Sequence, residues 1–547
     1  MSNPSQPEYP PIDPTNFDLI LIGTSLPSSI LAAASASVSK TILHVDPNPF
    51  YGSHFSTLSP SHLSPYLSPP PPLPPSLSTD YSAVPLSHRH LTTAISIPPL
   101  PPHLPHNLAL DVSGPRVLFC ADAAIQLLLT SQVSHYLEFK AVDQNLIYDG
   151  DKSCFLNVPD SKFAIFKDKA FTLPEKNKLG MFFKRVNAHL TGDADLCISD
   201  DDLDTPFFEF LSNFGLPKRI IGIILYAIAL ADYDQENVEA SNNLLKTRDG
   251  INRLALYHSS VGRFPNAHGA MLYPMYGQGE LPQAFCRRAA VKGSIYVLRM
   301  PVAALLTDKD TGLYKGVRLA SGQDIFSQKL IMDPDLAVPH GLALSTPENS
   351  EKNSNHSCSR DLEKKVARAI CITKTSLKSD SLNLLIVLPP RSLYNEQATS
   401  VRALQMSGNS AVCPVGMFVV HLSTLCNDAN QGERLLTAAI DVLFRQPTSG
   451  SADDDPAEGP SKTSDDTSSV QEEQRPVLEW RALYIQDITE ESVHTISTTP
   501  SPDGNLGYND LFDATERMFQ QMYPGEVFFP EQAAPKDEEH DEDVDPE

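Results

Sequence analysis

The apolar positions of this chain change rhythm three times. Phe17-Asp-Leu-Ile-Leu-Ile-Gly23 is a nearly continuous apolar run and predicts a strand buried on both faces, running into a tight turn. Residues 31–39 follow as a helix. Thr41-Ile-Leu-His-Val-Asp46 is a second strand, ending in an acid. Helical spacing takes over at 123–140 and dominates 158–258, where 175–190, 205–214, 217–231 and 238–257 are the predicted helices. Strand-like runs return after Tyr273, at 294–299, 302–307, 314–319, 329–332, 366–378, 383–388, 419–423 and 480–488. Helices are predicted at 432–444 and 507–522. This order predicts a discontinuous α/β domain interrupted by an inserted helical domain.

The expected organisation is a flexible leader (1–15), a first part of the α/β domain (16–157), the helical domain (158–258), a second α/β part (259–530) and an acidic tail (531–547). Residues 59–106 are dominated by Ser, Pro and His and include Ser68-Pro-Pro-Pro-Pro-Leu. Such a composition builds no core, so a disordered insertion is expected, with a polyproline ligand for a partner domain as the other reading. Residues 345–361 and 446–475 are expected to be disordered linkers. The run at 220–231 is apolar on every face, which suits a core helix or a helix lining a lipid cleft, and is too short to span a bilayer.

Charge narrows the partners. The net charge is −25, and 449–475 and 537–547 hold eight acids each. That balance argues against nucleic acid. The eight cysteines form no C-x-x-C pair, so neither zinc nor redox spacing is present. With no signal-peptide pattern and no C-terminal prenylation box, a soluble cytosolic protein is expected.

The first strand, helix and second strand make the βαβ frame of a dinucleotide site, with Asp46 placed for a ribose hydroxyl. The turn, however, is Gly23-Thr24-Ser25-Leu26-Pro27-Ser28, which keeps only the first glycine of G-x-G-x-x-G. Ser25 adds a Cβ where the backbone should approach a pyrophosphate, Ser28 crowds the helix–strand contact, and Pro27 removes an N–H. The fold is expected to be kept and the cofactor lost. A flavin-dependent oxidoreductase rests only on Asp46 and the frame. No G-x-S-x-G, H-E-x-x-H or P-loop occurs, and no catalytic constellation is found.

A second dense segment is Tyr273-Pro-Met-Tyr-Gly-Gln-Gly-Glu280-Leu-Pro-Gln-Ala-Phe-Cys-Arg287. Gly277 and Gly279 allow a sharp turn, and Pro282 and Glu280 suit the first turn of a helix. Glu280 and Arg287 are two turns apart and share a face, which spacing alone reads as a binding pair or as a solvated face with a cap.

Residues 17–53 and this segment resemble the superfamily of Rab GDP-dissociation inhibitors and Rab escort proteins. The resemblance implies a flavoprotein-like domain I without cofactor and a helical domain II. It further implies a platform for GDP-bound Rab GTPases carried by Tyr51, Glu280 and Arg287, with Val297 on a methionine position and Ile295 on a threonine position. Three features resemble the escort branch: Val133-Ser-His-Tyr-Leu-Glu-Phe, Phe155-Leu-Asn-Val-Pro-Asp-Ser-Lys162 with Ile165-Phe166, and the extended C-terminal run from Trp480 to Pro530. That branch presents Rab to the catalytic geranylgeranyltransferase αβ heterodimer and carries the prenylated Rab to membrane, without catalysis of its own. The other branch only recycles prenylated Rab. The transferase contact falls on Phe166 and on Asn177, where the family has an arginine. Asn177 offers no charged fork, and Lys176 or Lys178 are the nearest substitutes.

Overall fold

The computed structural model describes residues 9–68, 81–159, 172–193, 197–237, 243–337, 364–445, 475–492 and 494–530. Asn16–Ile22 (β1), Leu26–Ser37 (α1) and Ile42–Asp46 (β2) form the opening βαβ unit. Leu173–Thr191 (α2) is the longest helix of the helical block, and Glu280–Val291 (α3) opens the return to the α/β unit. Ile295–Leu298 (β3), Val302–Thr307 (β4), Tyr314–Leu319 (β5) and Asp324–Met332 (β6) follow. The first sheet runs β3-β2-β1-β6-β5-β4 and is closed by Ser82–Pro85. Its β3, β2, β1 and β6 are parallel, and Ile496–Thr498 pairs with β6 as well. α1, α3 and the helix Asn509–Met522 bury one face, through Leu31, Phe285 and Phe519. The β4–β6 meander packs residues such as Val302 and Val317 with Ile20 and Val45 on the other.

A second eight-stranded sheet is mainly antiparallel and ends on Thr92–Ser96 at one edge and Cys154–Asn157 at the other. The helix Ala429–Leu443 covers one face. The helical block covers the other, so that Phe182, Phe207 and Ile224 share a core with Ile370, Leu404 and Trp480. α2 starts where Thr172-x-x-Glu175 forms a capping box and stops on left-handed Gly192.

Four expectations need correction. Residues 9–15 are not a flexible leader: Ile12 is buried, its N–H donates to Gln323 Oε1 at 2.9 Å and its carbonyl accepts from Gln323 Nε2 at 2.7 Å. Residues 123–140 are not one helix: the α-helix Ala123–Thr130 stops, Gln132 turns left-handed, a 3₁₀ turn covers Val133–Tyr136, and Phe139–Ala141 joins a small sheet with Met271–Pro274. Periodicity continues through the break because the 3₁₀ turn still buries Val133. Residues 59–68 and 81–106 are not a disordered insertion; 69–80 lie outside the described residues. The segment holds the helix Pro60–Tyr66 and strands that cap an edge of each large sheet. A proline-rich stretch needs no core of its own when it borrows edges, and edge strands tolerate proline. Finally, the apolar run at 220–231 is the short α-helix Lys218–Gly222 passing into a π-helix at Ile223–Ile228, with every π residue buried in the shared core. Residues 345–361 and 446–474 of the linkers, the tail and Phe166 lie outside the described residues. Among the described residues no helix is long and apolar enough to cross a membrane.

Candidate functional site

The glycine-poor turn is filled from within. Gly23 has φ +90°, and a Cβ there would stand 2.2 Å from the Asp333 carboxylate. Asp333, immediately after β6, accepts from the Ser25 hydroxyl at 2.5 Å, the Ser28 hydroxyl at 2.7 Å and the Ser25 backbone N–H at 3.2 Å. The two serines that replace glycines therefore hold one of the chain's own carboxylates at the N-terminus of α1, where a pyrophosphate would sit. Asp46 is turned inward too, accepting from the Thr24 N–H and hydroxyl at 2.7 and 2.6 Å. The residues present do not fit a dinucleotide: its phosphate position holds a carboxylate, and its ribose-binding acid is already bonded.

Burial raises the Asp46 carboxyl to about 7, against the Thr24 hydrogen bonds that lower it. Because the folded pKa exceeds the unfolded one, Asp46 holds a proton in the fold that the unfolded chain releases. Its contribution is fully present below about pH 4 and is lost as pH rises to about 7. The stability difference between wild type and Asp46→Asn is thus expected to shift against wild type by about 1.4 kcal/mol per pH unit across that window. Urea unfolding at several pH values checks this, and a flat difference contradicts it.

Next to this closed turn lies the surface singled out by sequence. Tyr51 is presented by Gly52, where both a φ of +105° and the 2.8 Å that would separate a Cβ from Ser56 Cα call for glycine. The Gly52 N–H donates to Thr24 Oγ1 at 2.9 Å, tying the Tyr51 loop to the turn. Tyr51 meets the Tyr296 ring edge-on, with centroids 6.1 Å apart, and Tyr296 rests on His44. Burial raises the Tyr51 phenol.

α3 is seated by the glycine segment before it. Added carbons at Gly277 and Gly279 would stand 2.5 and 2.7 Å from Thr57. Asp111 accepts from the Tyr273 hydroxyl at 2.5 Å, the Thr57 hydroxyl at 2.6 Å and the Gln278 N–H at 3.0 Å, and Thr57 Oγ1 accepts from the Gly279 N–H. This buried hub fixes the start of α3. There Glu280 is half-buried, its carboxyl raised by burial and held by Gln283 Nε2 at 3.2 Å. Arg287 is exposed, with its guanidinium 4.6 Å above the Tyr136 ring.

Ile295 and Val297 lie half-buried on β3, the sheet edge, on the face that packs with Leu43 and Val45. Tyr296 between them faces α1 and α3. The structure thus brings Tyr51 against Tyr296 and seats Glu280 and Arg287 on one helix, while Ile295 and Val297 take the opposite face of the edge strand. Two residues escaped the sequence reading. Tyr136 was visible only as part of Val133-Ser-His-Tyr. Tyr276 is 56% exposed at φ +69°, an exposed aromatic on a backbone conformation unusual for its type.

On the helical block, Asn177 is exposed on α2, one turn from Leu173 (73% exposed) and from Met181 (65%). Lys178 donates to the Gly215 carbonyl at 2.8 Å, and Lys176 is buried, so neither presents a free charge beside Asn177.

The sequence profile of the GDP dissociation inhibitor family matches residues 105–446. Rab escort protein 1 of Arabidopsis thaliana is 47% identical over 98% of this chain and 98% of its own length. The chain belongs to the GDP dissociation inhibitor family, on its Rab escort branch. The Rab proteins geranylgeranyltransferase component A of Drosophila melanogaster is 28% identical over 75% of this chain and 74% of its own length. Among solved structures, a Rab GDI from Plasmodium falciparum superposes with a TM-score of 0.65 at 17% identity, over 94% of this chain and 99% of that one. An oxidoreductase from Methanosarcina mazei reaches 0.50 at 10% identity, over 92% of this chain and all of the other. Both are likenesses of fold. They place this family member on the flavoprotein-like α/β scaffold that the opening βαβ unit implied.

Proposed function

We propose that this protein is the non-catalytic escort subunit of a Rab prenylation system. It binds a GDP-bound Rab GTPase on the surface around Tyr51, Glu280 and Arg287, presents it to the geranylgeranyltransferase αβ heterodimer, and delivers the prenylated product to membrane. It works in the cytosol with transient membrane contact, and nucleic acid is no partner.

The observation that carries this reading is the combination at the first sheet. The dinucleotide turn is closed by Asp333, while the neighbouring surface displays a pre-positioned Arg287 and the exposed Tyr276. Arg and Tyr are the side chains that most often anchor protein interfaces. Membership of the escort branch names the partner class. The transferase contact is assigned to α2, where Leu173, Asn177 and Met181 form an exposed, mostly apolar ridge, together with Phe166. The prenyl chain is assigned to the helical block. A Rab recycler without a transferase contact is the second reading, favoured by Asn177 in place of the family's arginine.

The Rab assignment is tested by titrating one Rab in two nucleotide states. GDP-loaded Rab is expected to bind at least tenfold more tightly than GTP-loaded Rab, a difference of about 1.4 kcal/mol or more. Equal affinity sinks the assignment.

A further inference from the structure

Beside the closed turn there is a cavity of about 330 Å³ that the Rab-binding reading does not use. It opens where β1 and β2 end, lined there by Ile22, Pro47 and Asn48, and is completed by the 86–92 segment, Val302 and Leu336. In open α/β sheets the crevice outside the carboxyl ends of the strands is where ligands bind.

One side chain points to a ligand. His54 is 6% exposed and lines the cavity, yet neither of its ring nitrogens has a hydrogen-bond partner. Burial lowers its pKa to about 4, so the ring is neutral and offers one donor and one acceptor. Leaving both unpaired in a buried site is costly. His88 adds a third unpartnered ring nitrogen, Nδ1, on the same lining.

The remaining walls define what fits. Leu86, Leu91 and Val302 are apolar, and Tyr66 stands edge-on to His54 with ring centroids 5.7 Å apart. These walls are mostly apolar and aromatic with His54 among the few polar groups, a lining that suits a heterocycle whose polar edge meets His54. The lining has one arginine, Arg89, and one carboxyl, Asp335, which burial makes harder to ionise, so it concentrates no like charge that would demand a charged ligand. Metal ions are a poor match, because among the described residues no group of three or more His, Cys, Asp or Glu side chains is placed to hold one. The volume lies at the lower end of the usual range for ligand pockets, about 300–1,000 Å³, and the plug at Asp333 bars a pyrophosphate.

We propose that this cavity binds a neutral nucleoside, with the donor and acceptor of His54 reading the edge of the base.

Adenosine, guanosine and uridine, titrated into the full chain and followed by saturation-transfer NMR and calorimetry, test this. At least one is expected to bind with a dissociation constant of about 1 mM or tighter. His54→Leu is expected to weaken it roughly tenfold or more. Ser68→Trp, an exposed residue at the lining, is expected to do the same without touching the core. FAD and inorganic phosphate are expected not to compete. No nucleoside binding at about 1 mM, binding indifferent to Ser68→Trp, or competition by FAD or phosphate overturns the proposal.

Discussion

Arg287→Ala is expected to weaken binding of GDP-loaded Rab by roughly 30-fold or more, the equivalent of about 2 kcal/mol at the low end of a desolvated charge contact. Three features make this residue the lever. It projects from a helix seated on α1 through Phe285 and Ala289, so its position is rigid. Its guanidinium lies over Tyr136, which restrains it before the partner arrives and lowers the entropy lost on binding. It is exposed, so truncation opens no cavity and the melting temperature should hold within a degree or two. Calorimetric titration of wild type and variant measures the effect. Unchanged affinity in a folded variant removes α3 from the Rab-binding surface.

Arg368→Ala is expected to have the largest effect on stability, a loss of about 3–5 kcal/mol. Arg368 is wholly buried, and each of its three guanidinium nitrogens is bonded. Nε donates to Gln486 Oε1, Nη1 to the carbonyls of Ser113 and Gly114, and Nη2 to the Asp503 carbonyl, all within 3.0 Å. Burial lowers its pKa to about 10, so it stays a cation at neutral pH. Arg116 reaches the same segment through the Asp503 carboxylate and the Gly507 carbonyl, and lies between the rings of Phe55 and Tyr508. Together the two arginines pin residues 503–508 to the second sheet and to the 113–116 segment. Removing Arg368 leaves the Gln486 side-chain oxygen and the Ser113 and Gly114 carbonyls without this donor, while the Asp503 carbonyl keeps Arg116 Nη2 at 3.3 Å. Arg368→Lys is expected to rescue little, since a point charge cannot serve four acceptors spread over a planar fork. Denaturant unfolding reads the change, and a loss under about 1 kcal/mol contradicts the clamp.

How much of this could be read from the chain alone differs by element. β4 and β5 were placed to the residue, because each is a short apolar run bounded by turn residues. Val401–Ser407 was missed. It is buried throughout, yet Arg402 and Gln405 interrupt its apolar pattern, and their partners, Asp232 and the Leu382 carbonyl, are far away in sequence. The strands within 81–106 were hidden by composition, since their stability comes from sheet edges supplied by distant segments. The missing glycines were legible, and so was the consequence for a pyrophosphate. What replaces it was not, because nothing local links Ser25 and Ser28 to a carboxylate 300 positions on. The motif around Glu280 was legible as a turn and a helix, but the reason for its glycines is Thr57, and the support for Arg287 is Tyr136. Both are contacts made only by folding.

Prenyl transfer tests the escort role. A Rab, geranylgeranyl diphosphate and the catalytic αβ transferase are incubated with and without this protein. Incorporation into the Rab only when the protein is present is the predicted result. Incorporation that does not depend on it, or none at all while GDP-loaded Rab still binds, contradicts the escort role.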